Sequence, residues 1–243
     1  MHKFYKIKNN KFKTTLFNYY ENRFGIDKFE NIHLLLNTNK LNEKEKKFYD
    51  IPIQLFGKTD RKSIFVQYFY ELFDKDYTIL YEYLNFIKKY VKPLYPNEEY
   101  LVIQKTPNIR FHLPGYSNIG SRDTDKSKDF IGVHYDGEFG HPDTEINVIL
   151  PITKMFDTNS IYYEPEPNSN LNYNEYNCLK LKENEFFTGY FNKCNHYNKI
   201  NKTNVTRVSL DFRIIPYSKY KNNNTKSATS KTKFEIGQYY MII

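Results

Sequence analysis

The sequence predicts a mainly β fold with flanking helices, a double-sheet jelly roll or barrel with the helices packed outside. Three observations predict it. Short apolar or alternating runs recur at residues 100–104, 109–113, 130–133, 146–152, 160–163, 179–182, 186–190 and 205–215. Clusters of Pro, Gly, Asn and Asp separate these runs, so each ends where turn chemistry begins. Ahead of them, roughly the first ninety residues read as helical and mixed, with three- and four-residue apolar spacing in the stretch after Asp76.

Taken in chain order, the segment 39–47 is charged and solvated, and 62–73 reads as a helix. A second helix is marked by Ile79, Leu80, Tyr83, Leu84, Ile87 and Val91, with Asp76 as its cap and Pro93 as its stop. About eight strands follow in roughly 120 residues. Residues 219–233, rich in Lys, Asn, Ser and Thr, read as a flexible loop, and 234–243 turn apolar again and return to the sheet. The expected organisation is a helical elaboration over 1–95, a jelly-roll core over 96–218, and a loop and final strand over 219–243. The chain has 243 residues, 40% of them hydrophobic and 18% aromatic, so it has ample apolar surface to offset the entropy of ordering such a core.

Composition also narrows the function classes. No run approaches the roughly 18 apolar residues of a membrane span, and the opening residues lead into Asn and Lys rather than an apolar signal core. Integral membrane and secreted proteins are therefore disfavoured. Two cysteines, Cys178 and Cys194, are too few for a disulfide scaffold or a four-ligand zinc site, and a cytoplasmic, reducing compartment is expected. The net charge of +8 has a bland source in the drift of an A/T-rich genome, since Lys, Asn, Ile, Tyr and Phe are all abundant. No basic helix or stacking motif accompanies that charge, so nucleic acid is not the expected partner.

Two of the six histidines stand two residues before an acid: His134-Tyr135-Asp136 and His141-Pro142-Asp143. His134 follows the apolar run Phe130-Ile131-Gly132-Val133, and residues i and i+2 of a strand share a face, so His134 and Asp136 are placed to grip one ion. His141 and Asp143 flank a proline between strands, which suits a loop that caps or lines a site. Farther on come His196 and, eleven residues later, Arg207 with Ser209 on the same strand face. Two imidazoles and one carboxylate leave positions open, the arrangement in which non-heme Fe(II) takes a chelating co-substrate and dioxygen. A guanidinium fork beside a hydroxyl makes a clamp for a carboxylate. Arg213 competes for that clamp but has Ile215, not a hydroxyl, two residues on. His112, which alternates with Arg110, reads as a surface or structural residue, and Cys194 as an inert packed thiol.

The ordered set His134-x-Asp136, His196, Arg207-x-Ser209 resembles the signature of the Fe(II)- and 2-oxoglutarate-dependent dioxygenases. Longer stretches at 110–115, 145–151 and 206–216 are similar to the phytanoyl-CoA-hydroxylase-like branch, particularly its streptomycin-biosynthesis-type members. The resemblance covers about residues 100–240 and leaves out the N-terminal helices. It implies a double-stranded β-helix core of the cupin-like kind, with His134, Asp136 and His196 binding Fe(II). It also implies that Arg207 and Ser209 hold the distal carboxylate of 2-oxoglutarate, with Asn147 a polar contact to co-substrate or substrate. Gln104 and Arg110 reach the same cavity from neighbouring strands, and His141 is a further substrate-side candidate. The implied reaction consumes 2-oxoglutarate and O2, releases succinate and CO2, and hydroxylates an aliphatic carbon of a small molecule. The retained Asp136 favours hydroxylation over halogenation, because halogenating members lose that carboxylate.

Two other classes stay open at this level: a metal-binding jelly roll that senses or isomerises without oxygen, and a basic nucleic-acid-binding module. The substrate and the oligomeric state are not legible in the sequence. The segment 115–129 reads as a mobile lid or a passive connection, and its Arg122, Lys126 and Lys128 would suit an anionic substrate.

Overall fold

The computed structural model describes residues 2–46, 63–116, 130–222, 224–227 and 231–243, without the side chains of Phe130 and Ile131. An edge strand, β1 (Lys3–Lys6), precedes helix α1 (Lys11–Phe24). Asn10 caps α1 by accepting from the Lys13 N–H at 3.0 Å, and Gly25 ends it in the left-handed conformation at φ 63°. A 3-10 segment (Phe29–Asn37) and one turn of helix, α2 (Glu43–Lys46), follow. Helix α3 (Ile64–Lys75) starts at Ser63, and α4 (Tyr77–Phe86) starts at Asp76, whose carboxylate accepts from the Thr78 N–H at 2.8 Å. The expected second helix continues as a π turn over Ile87–Val91 and stops in the 3-10 turn Lys92–Leu94, at Pro93.

The strands are β2 (Leu101–Gln104), β3 (Asn108–His112), β4 (Phe130–His134), β5 (Ile146–Pro151), β6 (Ile161–Tyr163), β7 (Asn177–Cys178), β8 (Glu185–Gly189), β9 (His196–Lys199), β10 (Arg207–Pro216) and β11 (Tyr240–Ile242). All pairings are antiparallel. One sheet carries the order β3-β10-β5-β8, extended by β1 beyond β8 and by β2 and β11 on the β3 side; the other runs β4-β9-β6-β7. Numbered from β3 to β10, the two sheets thus run 1-8-3-6 and 2-7-4-5, with only the fourth and fifth strands, β6 and β7, adjacent in one sheet, the path of a double-stranded β-helix. A run expected at 179–182 forms only an isolated bridge, Met155 to Leu181, and the strand lies just before it at β7.

Strand β10 sets the layering. Val208, Leu210, Phe212 and Ile214 turn one way, into a core shared with α1, α3 and α4, while Arg207, Ser209, Asp211 and Arg213 turn the other way, between the sheets. Between the sheets, Ile149, Met155, Ile161, Leu179, Leu181 and Phe187 form a second core at the end away from the helices. The C-terminal segment returns as expected: β11 pairs with β2, and Ile243 exchanges backbone hydrogen bonds with Leu101. In the preceding stretch Lys226 bridges Lys233, and the Thr225 hydroxyl donates to the Gly140 carbonyl at 2.8 Å. Residues 117–129, most of the suggested lid with Arg122, Lys126 and Lys128, lie outside the described residues.

Candidate metal and carboxylate site

The end of β4 is shaped by a bulge. Its register with β9 shifts between Ile131 and His134, and Gly132 inside the bulge has φ 49°, a conformation that costs a glycine little. The bulge brings the Gly132 carbonyl 2.7 Å from His134 Nδ1. His196 at the start of β9 repeats the device, with Nδ1 3.1 Å from the Cys194 carbonyl. A carbonyl facing Nδ1 fixes the proton there and leaves the Nε2 lone pair to the site. Between them, Asp136 opens a 3-10 turn (Asp136–Phe139) whose first amides donate to the Phe191 and Asn192 carbonyls at 2.8 and 3.2 Å. That pair of bonds ties the His-x-Asp element to the segment that leads into His196.

His134, Asp136 and His196 therefore converge, each offering a ligand atom within 4.8 Å of the others. His196 Nε2 stands 3.8 Å from Asp136 Oδ1. Burial, together with the nearby His134, pushes the His196 ring down to about 3, so the imidazole is neutral and free to ligate. Burial alone would raise the Asp136 carboxyl, but the Arg213 guanidinium and the His196 ring hold it well below the usual carboxylate range. Phe191 stacks on His196 with ring centroids 4.6 Å apart, and Phe139 meets His134 edge-on at 5.3 Å. The donor set of two imidazole nitrogens and one carboxylate fits Fe(II) with positions left open.

Arg207 lies fully buried at the start of β10. Its Nη1 donates to Ser209 Oγ and its Nη2 to Asn198 Oδ1, both at 3.0 Å, and Nη2 is 3.5 Å from His112 Nδ1. All three partners are neutral, Nε has no partner, and no carboxylate among the described residues pairs with it. Burial and then the charge of Arg110 pull this guanidinium down to about 9. A buried cation with no counter-charge is costly, and a carboxylate ligand would relieve it. Asn198 and His196 share a face of β9, two residues or about 7 Å apart, so the fork lies within the span of a short dicarboxylate from the triad.

Arg213, the rival for the clamp, is occupied: Nη2 donates to Asp136 Oδ2 at 2.6 Å, and Nη1 is 3.1 Å from Asp211. Asn147 on β5, opposite Arg213 in the ladder, donates to the same Asp136 oxygen at 2.8 Å. Arg110 stands opposite Ser209 on β3, beside the clamp. His112 is fully buried rather than on the surface, with Nε2 2.9 Å from the Tyr116 carbonyl and Nδ1 3.1 Å from that of Asn159. Gln104 is buried on β2, donates to the Thr106 carbonyl at 2.7 Å, and has no contact with the triad. His141 pairs through Nδ1 with the buried Glu145 at 2.7 Å, and the Tyr240 hydroxyl holds the other Glu145 oxygen. Cys194 is packed, and burial pushes its thiol up to about 11. The sequence reading missed Asn198, although its two-residue spacing from His196 was available as a signal.

Comparison with known proteins places this site in context. No family model matches the chain. The streptomycin biosynthesis protein StrG of Streptomyces griseus is 30% identical over 140 residues, which cover 57% of this chain and 58% of that protein. Among solved structures, the non-heme 2-oxoglutarate-dependent carbocyclase SnoK of nogalamycin biosynthesis aligns over 59% of this chain and 63% of its own, at TM-score 0.41 and 9% identity. HygX of Streptomyces hygroscopicus, solved with nickel and 2-oxoglutarate, aligns over 81% of this chain and 96% of its own, at TM-score 0.33 and 10% identity. These structural likenesses are partial, and the fold assignment rests on the strand order itself.

Proposed function

We propose that this chain, a homologue of StrG with the double-stranded β-helix fold, is an Fe(II)- and 2-oxoglutarate-dependent oxygenase that hydroxylates an aliphatic carbon of a small molecule. The observation that carries the proposal is the buried Arg207 fork, without an acid partner, held by Asn198 two residues along β9 from His196 of the converging triad. An Fe(II) centre with 2-oxoglutarate and dioxygen supplies oxidative attack on an unactivated C–H bond, with succinate and CO2 as products.

The chain's own residues do the rest. His134 and His196 present their Nε2 atoms and Asp136 presents Oδ1, the three donors that would hold the metal. Arg207 orients the distal carboxylate of the co-substrate and neutralises it. Ser209 accepts from Arg207, which leaves its own proton free to donate to that carboxylate. Phe139 and Phe191 cover the imidazoles and exclude water from their exposed edges. That StrG is a streptomycin biosynthesis protein supports placing this chain in natural-product biosynthesis. Both cysteines are free thiols, which suits a reducing cytoplasm. Among the described residues no helix is long and apolar enough to cross a membrane.

The test is an anaerobic titration of 2-oxoglutarate into the Fe(II)-loaded protein, followed by admission of air and a succinate assay against a metabolite library. We expect one Fe(II) per chain, co-substrate binding only when metal is present, and succinate release that the true substrate accelerates. His196→Ala should abolish release while the chain stays folded. Full turnover in that variant, or no 2-oxoglutarate dependence at all, would overturn the reading and favour a jelly roll that does not use oxygen.

A further inference from the structure

The two oxygens of Asp136 stand in different surroundings. Oδ2 accepts from Arg213 Nη2 at 2.6 Å and from Asn147 Nδ2 at 2.8 Å. Oδ1 has no hydrogen-bond donor among the described residues and is the oxygen facing His196 Nε2. Arg213 is itself held from behind, because Asp211, two residues away on the same face of β10, lies 3.1 Å from its Nη1. Asn147 is its cross-strand partner. The sheet register, not a mobile loop, therefore places Arg213 and Asn147 around Oδ2, with Asp211 behind Arg213. A charge-assisted bond and an amide bond occupy both lone pairs of that oxygen.

We infer that Arg213 and Asn147 are positioning residues that make Asp136 give a bound metal one oxygen only, and that the Arg213 charge biases the bound iron toward its divalent state. The inference rests on the metal site proposed above. A carboxylate that swung to bidentate binding would take up one of the positions that the co-substrate needs, and pinning Oδ2 prevents this. A buried cation held against a metal-ligating carboxylate also weakens that oxygen as a donor. It opposes a trivalent ion more than a divalent one, since the repulsion scales with the ion's charge. Asp211 partly offsets the cation, so the two residues should act on the metal in opposite directions.

The experiment is a redox titration of the iron-loaded protein under argon, with Mn(II) affinity measured by electron paramagnetic resonance as a readout independent of turnover. In Arg213→Gln, the preference for Fe(II) over Fe(III) should fall at least tenfold, a drop of about 59 mV for one electron. Arg213→Lys should restore at least half of that drop, because the charge returns without the fork. Asp211→Asn should raise the potential, because it leaves the cation less compensated. A merely structural ion pair would leave the potential unmoved or shift it the same way in both variants, and either result overturns the inference. Should Arg213→Gln fail to fold, Asp211→Asn decides: a rise supports the role and no rise overturns it. Failure of the metal site itself is seen separately, as a wild-type chain that takes up Mn(II) no better than His196→Ala.

Discussion

Arg207 and Arg213 lie on one face of one strand, and their partners separate them: two acids hold Arg213, while Arg207 reaches only the neutral Ser209, Asn198 and His112 and no acid among the described residues pairs with it. Arg207→Lys should therefore weaken 2-oxoglutarate binding by about a hundredfold and leave metal affinity unchanged, because a half-paired buried carboxylate costs a few kcal/mol. Calorimetry with Mn(II) in place of iron measures both quantities, and an unchanged co-substrate affinity would remove Arg207 from the clamp. His112, against the same guanidinium, makes a prediction about pH. Burial and the Arg207 charge take its ring from 6.5 down to about 3 in the folded chain. Below pH 6.5 the unfolded chain takes up a proton that the folded chain refuses, so this residue lowers stability as pH falls from 6.5 toward 3. The loss is about 1.4 kcal/mol per pH unit in that window, and it vanishes above 6.5. Urea unfolding at pH 7 and pH 5 should show His112→Gln losing about 2 kcal/mol less than the wild type.

At the scale of elements, Asp76 ends α3 and begins α4, accepting from the Thr78 amide and from the Tyr19 hydroxyl. Asp76→Ala should cost about 1 kcal/mol in chemical denaturation, with no effect on co-substrate binding. Gly137 in the ligand turn is different, because an added Cβ would lie 2.7 Å from the Asn192 carbonyl. Gly137→Ala should cost about 1–3 kcal/mol and also weaken Mn(II) binding, since the turn carries Asp136. The elements that sequence patterning expected are those with a clean apolar period, such as β5 and β10. Those it missed have physical reasons. Strand β9 reads His-Tyr-Asn-Lys and shows no apolar alternation, because its inner face carries His196 and Asn198, which serve the site. Strand β1, Lys-Phe-Tyr-Lys, is a short basic edge that blunts the sheet and sends only Tyr5 toward the core. Leu179 and Leu181 looked like a strand because both are buried, but they fill the inter-sheet core from a stretch with little ladder pairing. The triad residues and Arg207 with Ser209 were legible as spaced motifs. The engagement of Arg213 with Asp136 was not, because it joins residues 77 positions apart through the fold.

Across the whole molecule, chemistry and stability occupy different layers. Phe212→Ala, in the core between the helices and the large sheet, should cost about 3–5 kcal/mol, while the protein that remains folded binds 2-oxoglutarate with unchanged affinity. Because Asp136 already has Arg213 and Asn147 as partners, stripping the metal with a chelator should leave the fold intact. Adding Mn(II) back at a hundred times its Kd should then stabilise the chain by about 2.7 kcal/mol, read as a rise in Tm. The division is sharpest along residues 207–214 of β10, where every second residue faces the helices and the alternate ones carry charge or a hydroxyl toward the site. A combinatorial library that randomised 207, 209, 211 and 213 would lose co-substrate and metal binding, because these positions form the clamp and hold Asp136, while the face packed on the helices keeps its sequence. One that randomised 208, 210, 212 and 214 would mostly return unfolded chains. Strand β10 thus carries two separate demands on one stretch of sequence, the chemistry of the site and the cohesion of the fold, interleaved at single-residue spacing.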